Sequence, residues 1–158
     1  MARALSRGPV ELLAEGDVLA AAQCIVIDAD AFPYESARFG RRPKSAFVWV
    51  ARDAEDGSVR GFLAGRAKGG RLEIDGIAVD QRSRRRGIGR SLVQAARDAS
   101  QGMRLRSMVL HVSVKNDGAI ALYESEGFVI RRRLRDFYPP TAFGEERAAL
   151  EMVCWLSS

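Results

Sequence analysis

The chain has 158 residues and a net charge of +5, with 47% hydrophobic and 28% charged residues. That length is expected to form one domain, residues 1–158, with an ordinary core and a soluble surface. A membrane span, a secretory leader, a disulfide framework and a zinc site are not expected: the longest largely apolar run (18–27) is broken by Gln23, Met1 to Arg7 has no apolar centre, and there are two scattered cysteines and one histidine.

A cytoplasmic protein with no membrane partner and no metal follows as the expectation. Cys24 and Cys154 both lie in apolar segments and read as reduced core thiols.

From the N-terminus, residues 10–13 form a candidate first strand. Asp17 fits the N-cap of a helix reaching about residue 30, with Val18, Ala21, Ala22, Ile25 and Ala29 on one face. Residues 32–45, with Pro33 and Pro43, read as a loop region. Residues 47–52 and 59–65 read as strands joined by the turn Asp53-Ala54-Glu55-Asp56-Gly57. Lys68-Gly69-Gly70 turns the chain into a strand over 71–79.

The next segment carries the most information. Ile77-Ala78-Val79 is the apolar end of that strand, and Asp80 to Arg86 is a basic turn that closes in Gly87-Ile88-Gly89. A helix follows over 87–100, with Ile88, Leu92, Ala95, Ala96 and Ala99 at helical spacing. Glycine lets backbone N–H groups approach a ligand, and a helix N-terminus has unpaired N–H groups and partial positive charge. Arg84, Arg85, Arg86 and Arg90 add bidentate cationic donors. The combination reads as a pyrophosphate cradle. It lacks the Gly-Lys-Ser/Thr of a Walker A loop, and Leu92 stands where the dinucleotide fingerprint needs its third glycine.

Residues 107–114 read as a buried strand. Asn116 or Asp117 caps a helix ending near Glu126, with Gly127 as its left-handed stop. Strands over 128–135 and 147–155 close the chain. The order implies a mixed sheet with helices on both faces. The second basic run, Arg131-Arg132-Arg133-Leu134-Arg135, is expected to be a solvated strand face, and the first is accounted for by cofactor phosphates. Nucleic acid is therefore not the expected partner.

Arg84-x-x-Gly87-x-Gly89 resembles the pyrophosphate loop of the GNAT N-acetyltransferase superfamily. The segment 110–128, Leu-His-Val-Ser-Val-Lys-Asn-Asp-Gly-Ala-Ile-Ala-Leu-Tyr-Glu-Ser-Glu-Gly-Phe, resembles its Asn-x-x-Ala-x-x-Leu-Tyr-x-x-x-Gly-Phe segment. Ala31-Phe32-Pro33-Tyr34-Glu35-Ser36 and Arg135-Asp136-Phe137-Tyr138-Pro139 resemble two loops of the ribosomal-protein-alanine N-acetyltransferase (RimI) type. The likeness runs from about residue 28 to residue 152, most of the chain.

The resemblance implies a GNAT-like α/β (α+β) fold, with a mixed, mostly antiparallel sheet of six to seven strands and helices on both faces. It implies acetyl-CoA as cosubstrate. Ile77, Ala78 and Val79 are then the splayed strand that pairs with the pantetheine arm, and Arg84, Arg85, Arg86, Gly87, Ile88, Gly89, Arg90 and Ser91 the pyrophosphate loop. Asn116 is the asparagine that contacts the cofactor arm, and Tyr123 the acid that protonates the leaving thiolate. Phe32, Pro33, Tyr34 and Tyr138 match loops that hold the first residues of a peptide.

RimI-type enzymes carry a glutamate as general base where this chain has His111, and Glu73 matches the base of other GNAT branches, with Asp75 two residues on. The base is therefore His111 or Glu73. Histidine as a residue type titrates near 6.5 and suits such work. Strand alternation puts Met108, Leu110, Val112 and Val114 on a core face, and Ser107, Val109, His111 and Ser113 on a face polar enough to line a cleft. Tyr123 lies seven residues after Asn116, two turns along one helix face. Glu73 and Asp75 offer an acidic setting for a protonated amine.

Acetyl transfer needs a neutral amine. Near pH 7, freeing a lysine costs about 3–4 kcal/mol more than freeing an α-amine, from pKa values of about 10.4 against 7.7–8.0. The expected function is direct acetyl transfer to the α-amine of a protein or peptide, a ribosomal protein being one candidate. The alternatives are acetylation of a lysine or small amine, or a non-catalytic acyl-CoA-binding or nucleic-acid-binding protein.

Overall fold

The computed structural model describes residues 7–14, 16–31, 46–138 and 147–157. Seven strands form one sheet: β1 (Arg7–Leu12), β2 (Ala46–Asp53), β3 (Val59–Lys68), β4 (Arg71–Val79), β5 (Ser107–Ser113), β6 (Val129–Leu134) and β7 (Ala149–Trp155). Their spatial order is β1-β2-β3-β4-β5-β7-β6. Every neighbouring pair is antiparallel except β4–β5, which is parallel. The helices are α1 (Val18–Ala31), α2 (Ile88–Gly102) and α3 (Asp117–Ser125). This is the expected mixed, mostly antiparallel sheet, and none of the described helices is long and apolar enough to cross a membrane.

Strand alternation divides the core into two layers. Leu63 of β3 packs with Leu72, Ile74, Met108, Leu110, Val112 and Met152 under α2 and α3, which contribute Leu92, Val93, Ala96 and Tyr123. Phe62 and Ala64, its neighbours on β3, point the other way and pack with Val50, Val59 and Ala78 under Ala20, Cys24 and Ile27 of α1. Helices therefore cover both faces, and Cys24 and Cys154 are buried free thiols, as expected.

The face expected for α1 is wrong. Its Asp17 cap is present, with Oδ1 accepting from Ala20 N at 3.0 Å. The buried stripe, however, is Ala20, Cys24 and Ile27, while Val18 is 77% exposed. The helix is apolar nearly all round, so periodicity could not choose a side. The small residues lie on the sheet, where Ala20 and Cys24 let the helix approach Phe62 closely.

The expectation of a merely solvated Arg131–Arg135 run also needs correction. β6 is an edge strand whose arginines are exposed, yet Arg132 binds the carboxylate of Glu151 on β7 through both oxygens, at 3.2 and 3.0 Å. A carboxylate buried in the sheet requires a cationic partner, and the nearest exposed strand supplies it.

Candidate active site

β4 and β5 pair over only three positions: Arg71↔Ser107, Leu72↔Met108 and Glu73↔Val109. Beyond them β4 follows β3 and β5 follows β7, so the two parallel strands part. The divergence starts at a bulge. Gly65 pairs with Ile74 and Ala64 with Gly76, which leaves Asp75 as the extra residue, and a bulge bends its strand. Ile77, Ala78 and Val79 consequently line a gap with no described strand on their outer edge. Alternate residues there aim their backbone N–H and C=O into it.

Both parallel strands run toward the open end, and each is followed by a helix. Open α/β sheets bind ligands at such a place, outside the carboxyl ends of diverging strands. After Val79 the chain makes a single 3-10 turn, Gln81–Ser83, and enters α2 through Gly87. Gly87 has φ 75°, a left-handed conformation that costs any other residue about 1–2 kcal/mol. No side chain caps the helix. Its first internal bond is Ser91 N to Gly87 O at 3.0 Å, so the N–H groups of Ile88, Gly89 and Arg90 have no acceptor within the helix. Arg84, Arg85 and Arg86 are exposed around them. The site is basic and rich in backbone donors, which is anion-binding chemistry.

Two members of the expected loop have packing duties. A Cβ on Gly89 would stand 3.0 Å from Leu122 Cδ2, so this glycine lets α2 approach α3. Arg90 turns to α3, with Nη1 2.8 Å from Glu126 Oε1 and Nη2 3.0 Å from Ser125 Oγ. Arg97 holds the other oxygen of Glu126 at 3.1 Å and also binds its backbone carbonyl. The Glu126 side chain is 5% exposed and clamps the two helices together. Glu126→Gln is expected to lower unfolding free energy in urea by about 2–3 kcal/mol, because Arg97 loses its ionic partner in a largely buried setting; an unchanged midpoint would show that the clamp adds nothing.

α3 starts at Asn116, whose Oδ1 accepts from Ala119 N at 3.1 Å. Asn116 is thus the cap, and its amide NH2 is the group it has to offer a ligand. Two turns on, Tyr123 is buried, its ring 5.8 Å from that of Phe128. Burial pushes its phenol up to about 12, and the neighbouring Tyr138 adds to the shift. Tyr123 therefore stays protonated throughout the neutral range.

His111 lies on the expected polar face of β5, opposite the buried Met108, Leu110 and Val112. Its Nε2 is 3.1 Å from Glu151 Oε2. The ring of Phe137 stacks on it at 4.7 Å and 18°. Phe137 in turn meets Tyr138 edge-on at 5.0 Å. Tyr138 is anchored by its carbonyl, which accepts from Arg147 Nε at 2.7 Å.

Glu73 is on the same side of the sheet and pairs with Val109, two residues before His111 on β5. It is held by Arg71 at 2.9 Å and by Arg66 at 3.3 Å. Partial burial works to raise its pKa, but the hydrogen bond and charge of Arg71, with Arg66, outweigh it and hold the carboxyl below its usual range. A carboxylate so paired is a poor proton acceptor. Phe32, Pro33 and Tyr34 lie outside the described residues. Among those described, no group of three or more His, Cys, Asp or Glu is placed to hold a metal ion.

Sequence reasoning missed Glu151, Arg132 and Phe137. Glu151 had a signal: it is the lone carboxylate in Ala149-Leu150-Glu151-Met152-Val153-Cys154, and a charge inside an apolar strand asks for a partner.

A model of the acetyltransferase (GNAT) family matches residues 15–128. The chain is 32% identical over 141 residues (89% of this chain and 93% of the relative) to the [ribosomal protein bS18]-alanine N-acetyltransferase of Salmonella typhimurium. It is 33% identical over 124 residues (72% and 77%) to the N-alpha-acetyltransferase RimI of Mycobacterium tuberculosis. Its structure resembles the crystal structure of the ribosomal-protein-S18-alanine N-acetyltransferase from Escherichia coli, with a TM-score of 0.79, 28% identity, and coverage of 95% of this chain and 94% of that one.

Proposed function

From the premise that this chain belongs to the acetyltransferase (GNAT) family, we propose a single-domain, acetyl-CoA-dependent N-acetyltransferase acting on the N-terminal α-amine of a protein. The observation that carries the reading is the gap between β4 and β5 with the uncapped N-terminus of α2 at its mouth. Residues 84–89 suit the diphosphate of acetyl-CoA, and the open edge of Ile77, Ala78 and Val79 suits its amide-bearing arm.

The sheet is parted at this place, so a thioester in the gap is accessible from both sides. His111 stands on one face and Tyr123 on the other. The acceptor amine gives a proton to His111 as its nitrogen attacks the acetyl carbon. The C–S bond then breaks, and the thiolate takes the proton of Tyr123. Of the two candidate bases, His111 is favoured because Glu73 is committed to Arg71 and Arg66.

An α-amine is the acceptor that costs such a base least, by about 3–4 kcal/mol relative to lysine at neutral pH. The relatives named for N-terminal acetylation of ribosomal protein bS18 support a ribosomal protein as the first acceptor to try. The test is coenzyme release with short peptides bearing free or acetyl-blocked N-termini, beside lysine side-chain and polyamine acceptors. Turnover confined to free N-termini is expected, and equal turnover on blocked lysine-containing peptides would overturn the α-amine assignment.

A further inference from the structure

We propose that Glu151 is a positioning residue for the reaction: it fixes the tautomer and orientation of His111 so that Nδ1 is the atom that accepts the proton of the amine. The proposal rests on His111 being the base.

Three side chains stand in one row across three adjacent strands. The registers His111↔Glu151 and Arg132↔Glu151 place them side by side on one face. Glu151 is 6% exposed, so its carboxylate must be matched within the fold. Arg132 provides that match with two hydrogen bonds, of 3.2 Å to Oε1 and 3.0 Å to Oε2. Arg131 adds its charge at 3.7 Å. An arginine so placed keeps Glu151 ionised, and an ionised carboxylate only accepts hydrogen bonds.

The consequence for His111 is chemical. Its Nε2 is 3.1 Å from Glu151 Oε2, so in the neutral ring Nε2 carries the hydrogen and donates it. The lone pair is then on Nδ1. Phe137, stacked at 4.7 Å, holds the ring plane from one side. When the ring takes a second proton, Glu151 stabilises the imidazolium without accepting a proton itself. Nearby, Glu73 is paired with Arg66 and Arg71, and Asp136, next to Phe137, is paired with Arg147. Glu151 is thus the carboxylate in hydrogen-bond reach of the imidazole.

The chain has a single histidine, so untagged protein gives the nitrogen resonances of one imidazole. In 15N-labelled wild type, above the pH where the ring charges, Nε2 is expected to be the protonated nitrogen and Nδ1 the bare one. Glu151→Gln is expected to mix the tautomers and to reduce kcat/KM by about 10- to 100-fold. A predominantly Nδ1–H tautomer in wild type would overturn the proposal even if the variant failed to fold. So would a Glu151→Gln enzyme that keeps the Nε2–H tautomer and the wild-type kcat/KM. If His111→Ala keeps the rate, the base assignment itself fails.

Discussion

Tyr123→Phe is expected to lower kcat by about 10²- to 10⁴-fold while leaving the Kd for acetyl-CoA within about a factor of two. The substitution removes one hydroxyl from a buried ring and leaves its packing on Phe128 in place. The effect belongs on kcat because the proton is needed only as the C–S bond breaks. With the phenol pushed up to about 12, a thiolate of ordinary pKa near 8.5 would receive its proton uphill by about 5 kcal/mol, at 1.36 kcal/mol per unit. Burial that raises the phenol also penalises a thiolate formed beside it, which narrows that gap. The raised value has a second consequence. Tyr123 should contribute no alkaline limb to kcat below about pH 11. Stopped-flow coenzyme release across pH, with calorimetry for binding, tests both points; an equal kcat in the variant removes the acid role.

Changing Arg84, Arg85 and Arg86 together to Gln should act on binding. Each exposed charge-assisted contact to a phosphate is worth on the order of 1 kcal/mol after solvent screening, so three together weaken acetyl-CoA by about 100-fold. The KM for S-acetylpantetheine, which lacks the phosphates, should stay the same, and so should kcat. The dependence of acetyl-CoA affinity on salt should flatten. If the truncated thioester is impaired as much as acetyl-CoA, the arginines serve the fold or the acceptor.

The strand–turn–helix junction proposed to hold the diphosphate was legible in the sequence because its elements are local: an apolar strand end, a basic turn, a glycine and a helix follow one another without interruption from Ile77 to Leu92. The polar face of β5 was legible for the same reason, since alternation alone separates His111 from Leu110 and Val112. What escaped was set by partners remote in the chain. Glu151 reaches His111 across 40 residues of sequence, and only strand register joins them. The parting of β4 from β5 begins at Asp75, where one strand bulges against another, and no single-strand pattern marks it. The packing role of Gly89, whose added Cβ would stand 3.0 Å from Leu122 Cδ2 on a different helix, had no local signal either. The buried side of α1 was misread because an almost wholly apolar helix has no periodic signal, and small residues packing on the sheet decide the matter.

The central claim is that the N-terminus of α2 and the open edge of β4 grip the phosphates and arm of acetyl-CoA. Titrating acetyl-CoA into 15N-labelled protein and following the backbone amides tests it most directly. The account predicts saturable shifts that are largest at residues 87–91 and 77–79, and weaker or absent at 87–91 when S-acetylpantetheine is used. Saturable binding that leaves residues 87–91 unmoved, or no binding, would contradict it.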